Sequence, residues 1–389
     1  MRLLFIIPST ARGGVEEYTL TMTSAAVREG LEVHVAFPKA EGTVSLVKDL
    51  LANGVQYHQL EIPEYTAGKL ATVRKYLPYF VRTVFLLQKL KPNVVQIVLP
   101  NPEHCLGSIL ACGFLKIPTV VRFGLVHRQI SFSNVKLKAY AWARARNQRW
   151  LAISENNRQL VCKSFDASED TVSRIYNGSR ISLDSEKLET DRQTLRAEMC
   201  QELGIATDSK IALTVGRLDF QKGYQDLIPV IPHVVKEFPD LKFIWVGEGE
   251  LRERLVDSVQ EYGITEHVCF LGYRSDIGRL LTTADLFVFP TRFEGGQSFA
   301  LAEAMAYALP IVTSKASGIP EVIEHGVHGL LFRVADSCDL MENLRWALSH
   351  LEQMQEMGWK AKLRSQEFSE ARMIRETLDL WQKVSSSLD

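Results

Sequence analysis

Short β-branched runs alternate with longer segments of helical period along this chain of 389 residues. The runs at 3–7, 32–37, 94–98, 119–122 and 150–153 read as buried parallel strands. Between them, 16–28, 70–90 and 135–146 carry apolar positions at helical spacing. A turn at Asn177-Gly178 and a charged stretch over 180–192 interrupt the pattern and read as a domain linker. Strand runs resume at 211–215, 243–246, 268–271, 286–289 and 311–313, each followed by a helical segment. Two blocks of alternation predict two doubly wound parallel sheets, an α/β architecture. Ligands on such sheets bind beyond the carboxyl ends of the strands, so two facing sheets would make a cleft. The final segment places Met373, Ile374, Leu378, Trp381 and Val384 on one helical face. The expected division is therefore 1–180, then 181–371, with a terminal helix over 372–389 packing back on the first domain.

Composition agrees with a globular chain of two or three domains: 46% hydrophobic and 23% charged residues. It excludes a disordered regulator, a collagen-like fibre and a disulfide-stapled module. No apolar run is long enough for a secretory segment or a membrane span. Six cysteines form no CxxC pair and no metal-ligand cluster, which predicts neutral thiols in a reducing cytosol. The net charge of −1 hides an asymmetry. Residues 1–180 hold 23 basic against 13 acidic side chains, and 181–389 hold 22 against 33. The stretches 65–102 and 104–154 contain no acidic residue, and the second interleaves Tyr140, Trp142 and Trp150 with eight cations. Such a half would attract a phosphorylated acceptor, an anionic membrane face or nucleic acid; a merely solvated basic helix is the alternative.

Glycine-rich turns carry the candidate chemistry. Gly13-Gly14 follows the first strand and opens a helix, where glycine permits close backbone approach and positive φ and exposed N–H groups favour an anion. Neither GxGxxG nor a P-loop occurs, which argues against ordinary nicotinamide enzymes and Walker ATPases. A stronger pattern is Gly216-Arg217-Leu218-Asp219-Phe220-Gln221-Lys222-Gly223, where a strand ends on glycine and two cations flank the next helix. A guanidinium fork and a compact ammonium beside glycine suit a diphosphate. Later, Glu294-Gly295-Gly296-Gln297-Ser298 leads into an Ala-rich helix that contains Glu303. A carboxylate among Ala, Leu and Met is costly to bury unless hydrogen-bonded, and ribose hydroxyls would satisfy it; a salt bridge to a neighbouring helix is the alternative. Glu294 can accept from sugar hydroxyls, with the Gly295 and Gly296 amides directed at phosphate, or can simply pair with a helix dipole.

In this order the motifs resemble a retaining family 4 glycosyltransferase of the GT-B fold. The resemblance covers nearly the whole chain and is strongest over 211–335. It rests on Gly13-Gly14-Val15-Glu16, Asn177-Gly178, the Gly216 to Gly223 turn, Val246 to Gly249, Phe270 to Tyr273, the two-glutamate segment and Gly318-Ile319-Pro320-Glu321-Val322. It implies that Arg217 and Lys222 grip the donor diphosphate, Glu294 holds the donor sugar and Glu303 the ribose. The backbone at Tyr273–Arg274 would then lie against the base. Two departures stand out. Eight residues, not the family's usual seven, separate Glu294 from Glu303, which should reshape the sugar pocket. The family's histidine position is Gly124 here, and His127 comes three residues later.

The resemblance implies transfer of a sugar, with retention, from a nucleotide diphosphate, UDP by default and GDP as an option, to a glycan or lipid-linked hydroxyl. No Asp-x-Asp motif occurs, so Arg217 and Lys222 would do a metal's work and no cofactor is expected. The expected place is the cytoplasm, at the inner face of a membrane, with no nucleic-acid partner. The rivals are a nucleotide-sugar epimerase on the same fold and a non-catalytic nucleotide-sugar or nucleic-acid binder.

Overall fold

The computed structural model describes residues 1–62, 69–178, 192–296 and 298–386, with the side chains of the helix Lys69–Leu90 described from residue 76 onward. The expected linker over 180–192 lies outside those residues except for Arg192, which opens the helix Arg192–Leu203. The chain divides into two compact units, Met1–Tyr176 with Met373–Asp389, and Asn177–Arg372.

The first unit is a parallel sheet of seven strands: β1 (Arg2–Ile6), β2 (Glu32–Phe37), β3 (Gln56–Gln59), β4 (Val94–Leu99), β5 (Thr119–Phe123), β6 (Gln148–Ala152) and β7 (Val172–Arg174). Their order is β3-β2-β1-β4-β5-β6-β7. All six residues of β4 are buried, as a parallel strand covered on both faces requires. Successive residues of β1 serve opposite faces: Leu3 and Phe5 enter one core, Leu4 and Ile6 the other. The terminal helix Glu370–Ser386 covers the Leu3 and Phe5 face with Met373, Trp381 and Val384. Trp381 is fully buried, meets Phe5 edge-on at 5.7 Å and donates its indole N–H to Gln96 Oε1. Gln96 is itself buried in β4, so this contact satisfies a polar group that would otherwise destabilise the core.

The second unit repeats the plan with six strands: β8 (Lys210–Val215), β9 (Leu241–Val246), β10 (Val268–Phe270), β11 (Leu286–Phe289), β12 (Ile311–Ser314) and β13 (Leu330–Phe332). Their order is β10-β9-β8-β11-β12-β13. The order reverses between β8 and β11, which pair through Leu286↔Ala212 and Phe287↔Leu213. That pair is the topological switch point, where a doubly wound sheet leaves room for a ligand above its carboxyl ends.

Three expectations need correction. Strands β3, β7 and β13 lie outside the anticipated runs; they are only three or four residues long. Tyr140 and Trp150, interleaved in sequence with the cations, are core residues that meet Phe165 edge-on. Arg122 is also buried, with its guanidinium 3.6 Å from the centroid of the Tyr18 ring. All six cysteines are free, and burial pushes the Cys105 and Cys112 thiols up to about 12. Among the described residues no helix is long and apolar enough to cross a membrane.

Candidate functional site

Four loops leave the carboxyl ends of β8, β9, β10 and β11 and are stitched to one another through backbone. The Gly247 N–H, after β9, donates to Gly272 O at 2.8 Å, after β10. Leu218 N–H, after β8, donates to Glu248 O at 3.0 Å. Arg292 N–H, after β11, donates to Gln221 O at 2.7 Å. Two glycines make these approaches possible. Gly223 has φ +74° and a Cβ there would lie 1.9 Å from Pro290 O; Gly247 has φ +138° and its Cβ would lie 2.0 Å from Gly216 O.

On this frame Asp219 caps a short 3-10 turn, Phe220–Lys222, accepting the Lys222 N–H at 3.2 Å. Its other oxygen pairs with Arg217 at 3.0 Å. The Lys222 ammonium reaches across to the β11 loop and pairs with Glu294 Oε1. Glu294 is 7% exposed, and Thr291 Oγ1 lies 2.9 Å from the same oxygen. Gln221 closes the string: its Nε2 donates to Glu294 Oε2 at 3.3 Å, while its Oε1 accepts from Arg217 Nη2 at 3.2 Å. The order Arg217–Gln221–Glu294–Lys222 is thus one hydrogen-bonded series. Its inner end is buried, and its outer guanidinium is 69% exposed. In place of the helix-dipole pairing weighed as the alternative, Glu294 forms an ion pair with Lys222. Ser317 Oγ accepts the Glu294 N–H at 3.0 Å, from a residue held at φ +48°.

Gly216 lets the Lys222 stem lie against it, since a Cβ would sit 3.3 Å from that side chain. Gly295 and Gly296 are buried, and Ser298 begins the helix Phe299–Ala306 without capping it through its hydroxyl. Gln297 lies outside the described residues. Glu303 sits inside that helix, partly buried, and burial alone raises its pKa above the usual carboxylate range. No ion pair to Glu303 occurs among the described residues, so the alternative of a salt bridge to a neighbouring helix is not realised there.

Tyr273 is 81% exposed beside Gly272. Arg274 is turned away into a cluster with Glu202 at 2.5 Å and Asp276 at 2.7 Å, which raises its pKa. In the first unit Gly13 precedes the helix Gly14–Arg28 in extended backbone, so the anticipated positive φ is not adopted. The first turn of that helix already carries Glu16, which accepts from Ser9 Oγ, and Glu17, paired with Arg12 at 2.6 Å. His127 is exposed on the loop after β5; partial burial and then Arg128 lower its pKa.

Comparison with known proteins decides the family. Residues 12–182 match the model described as Glycosyltransferase Family 4, and residues 196–364 match Glycosyl transferases group 1. The chain belongs to the family 4 glycosyltransferases. Its two parallel sheets are those of the GT-B fold. The full chain superposes on a glycosyltransferase from Rickettsia africae with TM-score 0.83 at 17% identity, covering 98% of each chain. It superposes on Anabaena HepE in complex with UDP with TM-score 0.78 at 20% identity, covering 98% of this chain and 100% of HepE. An uncharacterized glycosyltransferase of Methanocaldococcus jannaschii is 33% identical over 187 residues, 46% of this chain and 45% of that protein. The chain spans about half to two thirds of the length of the curated relatives it matches.

In this family 4 chain the site holds residues that sequence reasoning missed. Gln221, Thr291 and Ser317 position Glu294, yet nothing in their own residue types announces a ligand. The signal for Thr291 and Gln221 was their place inside the two recognised motifs.

Proposed function

We propose that the chain transfers a sugar from a nucleotide-diphosphate donor to an acceptor hydroxyl, with retention of anomeric configuration and without a metal. UDP is the favoured nucleotide, and the structural likeness to a UDP complex of HepE supports it. The observation that carries the reading is the series Arg217–Gln221–Glu294–Lys222 at the β8/β11 switch point. It sets one ammonium and one guanidinium on a single loop beside glycine backbone. A sugar–diphosphate bond that breaks there leaves its electron pair on a phosphate oxygen. Lys222 and Arg217 stabilise that charge, and each such donor is worth about 10²–10³ in turnover. The acceptor oxygen attacks from the face the diphosphate leaves, and its proton passes to the departing phosphate oxygen.

Glu294, already fixed by Lys222, Gln221 and Thr291, accepts from a donor-sugar hydroxyl. The carboxylate of Glu303 takes the ribose hydroxyls, whose O–H groups supply the donors its helix lacks. Gly216, Gly295, Gly296 and Ser298 surround the phosphates and sugar, and the Tyr273–Arg274 backbone lies against the base. The acceptor is a glycan or lipid-linked hydroxyl at the cytoplasmic leaflet, drawn by the basic first unit.

Arg217→Ala is the clean test, because the exposed guanidinium can go without opening the core. Turnover with UDP-sugar should fall about 10²–10³-fold while the melting temperature holds. A folded Arg217→Ala enzyme with wild-type turnover would overturn the assignment. Lys222→Ala is less clean than the motif alone suggests: it leaves the buried Glu294 carboxylate without its cation, which destabilises the fold as well. A thermal-shift panel of UDP-, GDP- and ADP-sugars identifies the donor, and the anomeric proton coupling of the product checks retention.

A further inference from the structure

The helix Lys69–Leu90 exposes an apolar ridge that the first unit leaves uncovered. Leu77, Val81 and Phe85 follow one another at every fourth residue and are 57%, 40% and 67% exposed. Side chains at that spacing share one helical face. Phe80 meets Phe114 at 6.0 Å between ring centroids, and Phe114, on the next helix, Leu106–Leu115, is 61% exposed. Core packing explains none of these four exposed side chains. The opposite face of the same helix is well buried, through Tyr79, Thr83 and Leu87.

Charge defines what could cover the ridge. Lys89 continues the every-fourth-residue series beyond Phe85, and Arg82 flanks it. Both line a groove with Phe85 and Leu86 against Gln59 to Glu61. Neither cation has an ion pair among the described residues, and Glu61 already accepts from Gln59 Nε2 at 2.7 Å. Over 65–102 the sequence holds no acidic residue at all. A protein partner would meet this face with a few local carboxylates. An apolar ridge flanked by Arg82 and Lys89, with Glu61 in the groove engaged by Gln59, instead matches a surface that is apolar below and negative above. Long basic stems can lie on the apolar layer and keep their charges at the phosphates.

We propose that this face, centred on Leu77, Val81 and Phe85 with Arg82 and Lys89, docks on an anionic lipid bilayer. It deepens the membrane part of the function proposed above. It also stands or falls separately, because vesicle binding is read with neither donor nor acceptor present.

The full chain is mixed with phosphatidylcholine vesicles, with and without phosphatidylglycerol, and its flotation is measured. Binding should require phosphatidylglycerol and weaken with added salt. Leu77→Gln/Val81→Gln/Phe85→Gln should lower it at least about tenfold. Arg82→Gln and Lys89→Gln should each lower it about fivefold. Phe85→Trp, a conservative change, should show an indole emission blue shift only with the anionic vesicles. Equal binding to both vesicle types, a triple variant that binds like wild type, or no blue shift would overturn the proposal. So would a dimer that the triple variant dissociates in the absence of any vesicle binding, which would assign the ridge to a second copy of the chain.

Discussion

Two carboxylates of the second unit differ in what surrounds them, and that difference is measurable. Glu294 has an ammonium, an amide and a hydroxyl within reach, whereas Glu303 is raised in pKa by burial alone. A raised carboxyl pKa means that the folded state prefers the neutral acid. Ionisation above the ordinary value of 4.5 therefore opposes folding, and the penalty fades as pH falls toward it. Glu303→Gln should melt above wild type at pH 7, with the gap closing near pH 4, while losing affinity for UDP in a thermal-shift titration. A variant that melts no higher at pH 7 would show that burial of this carboxylate carries no such penalty. At this scale the sequence marks residue types well: Arg217, Lys222 and Glu294 stand in recognisable motifs. It hides their pairing, because Lys222 and Glu294 are brought together by the adjacency of β8 and β11 and by no local spacing.

Elements with long apolar runs were legible for the same reason that they are stable. The buried strands β1, β4 and β9 are uninterrupted or nearly so, and the periods of the helices Gly14–Arg28 and Asn134–Arg144 stand out. Three of the four edge strands, β3, β7 and β13, were not, and β3 shows why: Gln56-Tyr57-His58-Gln59 is polar and half-exposed, so no run exists to read. It is held partly by His58, whose Nε2 lies 2.9 Å from Nδ1 of the buried His34 on β2. His34 Nε2 in turn lies 3.1 Å from Glu32. Burial, then His34 and Lys89, lowers the His58 pKa below the ordinary 6.5. The unfolded chain therefore takes up this proton first, and stability falls as pH drops below about 6.5 until the folded-state pKa is passed. Urea midpoints measured down the pH scale should show that loss in wild type and a flatter profile in His58→Gln. Parallel profiles would remove His58 as its source.

For the whole molecule, opposite charge in the two halves and two rounds of strand–helix alternation gave the fold class from sequence alone. The basic surface was misjudged in detail, since Trp150, Tyr140 and Arg122 face inward, while Trp142 stays part-exposed and a separate apolar ridge stands on the Lys69–Leu90 helix. Composition records how many cations a segment has; only packing decides which of them meet water. The terminal helix completes a core from which it is remote in sequence. Trp381→Ala opens a cavity against Phe5 and leaves Gln96 Oε1 without its donor, so unfolding in urea should show a loss of about 3–5 kcal/mol. A loss under 1 kcal/mol would mean that the site collapses to fill the space.

That helix also decides how the enzyme can be rebuilt. Every residue of the Arg217 to Lys222 series lies in 177–372, yet the chain returns to the first unit from Met373 onward. Recombining two relatives at a single midpoint would give each parent's opening half a foreign closing segment against β1. An exchange of donor preference therefore calls for two crossovers, one after Tyr176 and one before Met373, so that each scaffold keeps the closing segment that seals its own floor.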